Sequence, residues 1–241
     1  LSPIPNYLDE TYVWTAEDYT APILTDAYPT GVDELKGTNM SFTLKDQGGS
    51  GVDQNTIACT VSGVSAILNG IFQTGFDGVG SQITPNAFNG YDVVIDPTSD
   101  FDTYENVVVN VAFDDNEGSN GAGGWSFKVE DYLGPLITPL SPINGEEGVL
   151  RDTNIQVQLT DEQAISAGSL VEISVNSAPY VTAWQQGVGF AVGYQGPQSQ
   201  AVEGPGIITL TIDPETDLPF AADVLVRITA VDPDGNPERL S

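Results

Sequence analysis

The sequence predicts an all-β protein made of two tandem β-sandwiches. Three observations carry that expectation: apolar residues recur at every second position in short runs, Gly, Asp, Asn and Pro separate those runs at regular intervals, and the second half of the chain repeats the first. No stretch sustains the period of an amphipathic helix. At 241 residues the chain has room for two ordinary domains, each able to bury a core.

Taken in order, "MSFTLKD" sets Met40, Phe42 and Leu44 on one face of a strand, and "TIACTVSG" does the same with Ile57, Cys59 and Val61. "YDVVID", "NVVVNVAF" and "WSFKV" keep the period of two. The stretch from Pro22, "PILTDAYPTGVDELKGTNMSFTLKD", then meets "PLITPLSPINGEEGVLRDTNIQVQLTD" from Pro135, and "YDVVIDPTSDF" meets "ITLTIDPETDL". The offset is 113 between Pro22 and Pro135, 115 between Asp46 and Asp161 and 117 between Asp96 and Asp213, so insertions are few and fall in loops. Domain one is expected over 22–134 and domain two over 135–241, after an N-terminal segment of 1–21.

The phase of the repeat is unusual. "WSFKVEDYLGP" at 125–135 is the last strand of domain one and its linker, and "YVWTAEDYTAP" at 12–22 has the same form. By that alignment the strand Tyr12–Ala16 closes a preceding or neighbouring unit, while "VDPDGNPERLS" stops at the turn before a last strand, which domain two is expected to lack. Two readings give a filament. Either adjacent repeats of a longer array supply the missing pieces covalently, or a free subunit donates the strand bearing Tyr12, Trp14 and Ala16 to the open edge beside Val224, Val226 and Ile228 of another copy. Closure of that strand onto its own second domain is the third arrangement.

About seven short strands per repeat is the pattern of an immunoglobulin-like antiparallel sandwich. "GTNMSFTLKDQGGSGVD", "YDVVIDPTSDF" and "WSFKVED…P" resemble bacterial and phage Ig-like repeat modules. The resemblance implies tandem Ig-like sandwiches of the kind strung along surface adhesins, secreted fibres and virion appendages. It therefore implies a non-enzymatic structural module of an extracellular filament or adhesin stalk, the alternative being a phage virion structural protein. Unit two departs from the pattern where "DEQAISAG" replaces the Ser-Gly-Val-Asp turn, and the single cysteine rules out the paired core cysteines of antibody domains.

Composition narrows the partners. Six Lys and Arg stand against 34 Asp and Glu, a net charge of −28 that repels nucleic-acid backbones and anionic membranes. Copies of the chain or adjacent repeats, and a cell-surface glycan or host receptor, remain. The absence of His removes the imidazole base and the common zinc sites, so no catalytic residues are assigned. Lone Cys59, on an alternating strand, reads as a small buried hydrophobe.

Calcium is the one cofactor the residues suggest, because hard cations take oxygen ligands clustered at turns. Strand ends that share a pole would gather Glu17, Asp18, Asp46, Asp115 and Glu117 in unit one, and Glu130, Asp131, Asp161, Asp232 and Asp234 in unit two. The bland alternative is a solvated acidic surface. Trp184, Phe190 and Tyr194 lie in a long aromatic stretch and read either as plugs for the end of the core or as a contact patch for sugar or a neighbouring subunit.

Overall fold

The computed structural model describes residues 11–14, 16–236 and 238–240. Residues 1–10 of the expected N-terminal segment and position 15 of its expected strand lie outside them. The described chain is all-β apart from a single 3-10 turn at Gln54–Thr56, capped by the Asp53 side chain. The residues sort into two compact units, Leu1–Gly31, Gly37–Asp100 and Val107–Phe127 in the first, and Val32–Lys36, Phe101–Asn106 and Lys128–Ser241 in the second.

The strands of the first unit are β1 (Ile23–Tyr28), β2 (Met40–Lys45), β3 (Ala58–Val61), β4 (Val64–Leu68), β5 (Ile71–Phe72), β6 (Gln82–Pro85), β7 (Tyr91–Ile95), β8 (Asn106–Asp114) and β9 (Asn120–Lys128). They form two antiparallel sheets, ordered β1-β2-β7-β6 and β5-β4-β3-β8-β9. The alternation in the sequence becomes the core. Met40, Phe42 and Leu44 from β2, Cys59 and Val61 from β3, and Val107, Val109, Val111 and Phe113 from β8 all lie within 3% of full burial. Removing so much apolar surface from water, at about 25 cal/mol per Å², is the main force holding the sheets together. Burial pushes the Cys59 thiol up to about 12, so it packs as a hydrophobe.

The second unit contains β10 (Leu136–Ser141), β11 (Ile155–Thr160), β12 (Leu170–Val175), β13 (Val181–Gln185), β14 (Gly189–Phe190), β15 (Gln200–Gly204), β16 (Ile207–Ile212), β17 (Val224–Thr229) and β18 (Arg239–Leu240). Its sheets run β15-β16-β11-β10-β18 and β14-β13-β12-β17. Ile155, Val157 and Leu159 face Ile208, Leu210 and Ile212 in register, and Val171, Ile173 and Trp184 complete the core. The turn after β17 does lead into a strand: β18 pairs in parallel with β10, Leu136 opposite Arg239.

The aromatic stretch lies in that core. Trp184 is 2% exposed and pairs across β13 and β14 with Phe190, while Phe190 and Tyr194 pack against the core from its margin. Trp184 therefore offers no ring face to a ligand. The physical reason is register: Ala183 and Trp184 both point inward at an irregularity between β12 and β13 that turns consecutive residues toward the core.

Candidate functional site: two buried carboxylate triads

Each unit closes one pole with three aspartates. In the first unit Asp18, from the segment leading into β1, meets Asp46, just past β2, and Asp115, just past β8. In the second, Asp131, Asp161 and Asp232 hold the same three places, ahead of β10 and following β11 and β17. The pairs Asp18 and Asp131, Asp46 and Asp161, and Asp115 and Asp232 are separated by 113, 115 and 117 residues, so the triads are repeat equivalents.

Within each triad one carboxylate oxygen per residue lies within 4.8 Å of the other two. Five of the six side chains are buried, Asp46, Asp115, Asp131, Asp161 and Asp232, and Asp18 is half-buried. Their outer oxygens are tied to the backbone. Asp18 accepts from the N–H of Thr20 at 2.9 Å and of Ser50 at 2.6 Å, Asp46 from Gly51 at 2.5 Å, and Asp115 from Glu117 and Ser119 at 2.9 and 2.7 Å. In the second triad Asp131 accepts from the Thr103 hydroxyl at 2.8 Å and Leu133 N–H at 3.2 Å, and Asp161 from Gln163 and Ala164, both at 2.9 Å. Asp232 accepts from Gly235 and Asn236, and the Asn236 amide spans Asp232 and the Asp131 carbonyl.

Asp46 Oδ1, Asp115 Oδ2, Asp131 Oδ2 and Asp161 Oδ2 are buried with no hydrogen-bond partner. A buried oxygen left without a donor is costly, and like charges so close repel by on the order of 3 kcal/mol per pair at an effective dielectric near 20. Burial pushes the Asp46 carboxyl upward; the Gly51 N–H pulls it back, and the charges of Asp18 and Asp115 add to the rise. Burial likewise raises Asp161 against the Gln163 and Ala164 N–H groups, with Asp131 and Asp232 pushing the same way. Backbone N–H bonds from Thr20 and Ser50 hold Asp18 low. Burial works to raise Asp115 as well, but the bonds from Ser119, Glu117 and Gly118 outweigh it and the carboxyl sits low. The first pole thus sets two carboxyls held low, Asp18 and Asp115, beside one pushed up, Asp46.

An oxygen-only donor set fits a hard divalent cation. The three oxygens of each triad, all within 4.8 Å of one another, are close enough to share one such ion. Gly49 lies over the first triad so closely that a Cβ there would stand 2.4 Å from Asp18 Oδ2 and within 2.5 Å of both Asp46 oxygens. Only glycine leaves that space to the carboxylates.

Of the ten residues expected at the poles, the triads gather six. Glu17, Glu117 and Asp234 are exposed and Glu130 is half-buried; all four stand outside both triads. Glu17 accepts from the Tyr19 hydroxyl and Asp234 from Gln163, whereas Glu117 serves through its backbone N–H. Glu17 and Glu130 directly precede a triad aspartate, and adjacent side chains in extended backbone point apart, whereas Glu117 and Asp234 lie two residues beyond one, in the turns whose N–H groups bond to Asp115 and Asp232. Thr103, Asn236 and Gly49 were not foreseen. The "DQGGSG" turn carries a signal for Gly49, but Thr103 lies 28 residues from Asp131 with no motif to join them.

No protein-family model matches the chain, and no curated protein matches it. Among solved structures it is similar to dimeric latent PorU from Porphyromonas gingivalis, with 11% identity and a TM-score of 0.35 over 92% of this chain. The chain spans 20% of that protein's length. A likeness of this size assigns no family, and the reading of the site rests on its own geometry.

Proposed function

We propose that the chain is a non-enzymatic structural module of an extracellular filament or adhesin stalk, made of tandem immunoglobulin-like sandwiches whose leading segments are pinned by calcium. One observation carries the reading: both triads tie the segment entering a sandwich to the two turns that close its pole, with repeat-equivalent residues. A bound cation would cross-link three stretches of backbone far apart in sequence. Such a cross-link stiffens the point where a repeat chain is otherwise free to flex. Oxygen-rich sites in extracellular modules work at calcium concentrations of roughly 0.1–1 mM, which exist outside cells. The high acidity that excludes nucleic acid suits the same setting. Among the described residues no helix is long and apolar enough to cross a membrane.

Amide hydrogen exchange with and without calcium tests the reading. Protection should rise at Thr20, Ser50 and Gly51 in the first unit and at Leu133, Gln163 and Asn236 in the second, because their N–H groups grip the ligating carboxylates. Exchange unchanged by millimolar calcium at all six would refute it.

A further inference from the structure

The two sandwiches differ at one edge. In the first, β8 lies between β3 and β9, and its inward side chains are fully buried. In the second, the equivalent strand is β17, 117 residues on from Val107 to Val224, and among the described residues it ends its sheet, paired with β12 alone. Leu225 and Val226 are 50% and 38% exposed, and Val224 and Ile228 are only partly buried against the core. The nascent last strand β18 pairs with β10, in the other sheet. This six-residue edge is apolar from Val224 to Ile228 but for Arg227, which pairs with Glu172 on β12, and an open edge of this kind is a template for another strand.

The chain carries a second version of the strand that covers this edge in the first unit. There, "WSFKVEDY" buries Phe127 and Val129 to 2% and 0% exposure and sets Trp125 against Phe42, ring centres 5.7 Å apart. "YVWTAEDY" at 12–19 has the same alternation and the same Glu-Asp-Tyr ending, yet Tyr12, Val13 and Trp14 are 81%, 89% and 82% exposed and no described residue of 11–22 lies in a strand. We propose that residues 12–16 of one copy add as a strand to β17 of a second copy, joining chains head to tail, with Trp14 as the main apolar contact.

The pairing also bears on the first triad. Asp131 is well held because the backbone before it is gripped: Glu34 bonds to Lys128 and Glu130, and Glu105 to Val129. Asp18 follows the exposed segment at the same interval. Docking residues 12–16 on a neighbour would hold Asp18 as Asp131 is held, so calcium at the first triad and strand pairing should strengthen each other, reciprocally. This coupling rests on the calcium reading; the strand pairing does not.

The test is sedimentation velocity of the full chain over a wide concentration range at about 0.15 M salt, where long-range repulsion is screened, with calcium or with chelator. Species beyond the monomer should grow with concentration, and calcium should tighten association roughly 5-fold or more. Trp14→Asp spoils the donor and Val226→Lys the acceptor, so each variant alone should stay monomeric, while their mixture should form a heterodimer that grows no further. Circular dichroism and cooperative thermal melting of either variant, compared with the unmodified chain, monitor folding. Association that survives Trp14→Asp, or a wild-type chain that remains monomeric throughout, overturns the proposal and leaves β17 to a covalently following segment or to the chain's own residues 12–16. Association that is lost in the variants but indifferent to calcium, with no calcium bound, upholds the strand pairing and removes the calcium reading instead.

Discussion

The two carboxylate triads are built from repeat-equivalent aspartates but held by different means. In the first, the turn after β2 passes glycine over the site, and Asp18 reaches in from a segment whose preceding residues are exposed. In the second, Ala164 stands where the repeat offset puts Gly49's counterpart, and Asp131 is fixed by Thr103 and by a backbone already clamped on both sides. Preorganised ligands lose less conformational freedom on binding, so the second site should bind calcium more tightly than the first. The triad geometry is thus the conserved quantity between the units, and its anchorage is what varies.

The largest effect should come from removing ligands of one triad at a time. Asp161→Asn with Asp232→Asn should abolish the tighter calcium, and Asp46→Asn with Asp115→Asn the weaker one. Each intact site adds about 2.7 kcal/mol of stability at calcium 100-fold above its dissociation constant. Calcium-dependent melting of the two double variants and the unmodified chain checks this; equal losses from both pairs at low calcium would remove the difference in anchorage. Next in size, Gly49→Ala should eliminate the first site and cost about 1–3 kcal/mol through overpacking, while calcium at the second triad persists. Thr103→Val should leave the fold intact and weaken the second site alone by roughly 10–100-fold, since Asp131 loses an orienting bond.

The smallest effect is pH dependence, and its sign differs with calcium. Asp46 and Asp161 have raised carboxyls, so in chelator their ionisation costs stability as pH rises from the ordinary carboxylate range through their folded values. Asp18 and Asp115 are lowered, and their contribution is lost only as pH falls through values below the ordinary range. Mild acid should therefore favour the chelated protein through Asp46 and Asp161. With calcium the sign reverses, because protons compete for the same oxygens. Thermal melts from mild acid to neutral pH, in chelator and in calcium, should diverge as pH rises.

Much of this was legible in residue spacing. Alternation places Met40, Phe42 and Leu44, and Val107, Val109, Val111 and Phe113, in the core, because a half-buried strand can satisfy its burial in no other register. The six triad aspartates followed from repetition itself, since positions at matched offsets occupy matched turns. Direction was less legible than position. Glu17 and Glu130 precede triad aspartates and Glu117 and Asp234 lie two beyond, yet turn geometry sends their side chains elsewhere. For Trp184 the sequence left two readings open, core plug or contact patch, and it is an irregularity between β12 and β13 that turns the ring inward. Thr103 and the pairing of β18 with β10 depend on long-range contacts that no local pattern records.

The central claim is that each triad is a calcium site, and direct titration tests it best. Isothermal titration of the chelator-treated full chain with calcium, repeated in excess magnesium, should reveal two ions bound per chain, one for each triad, with unequal affinities that magnesium barely alters. No heat and no bound calcium at millimolar concentration, or binding that Asp46→Asn and Asp161→Asn leave untouched, would contradict it.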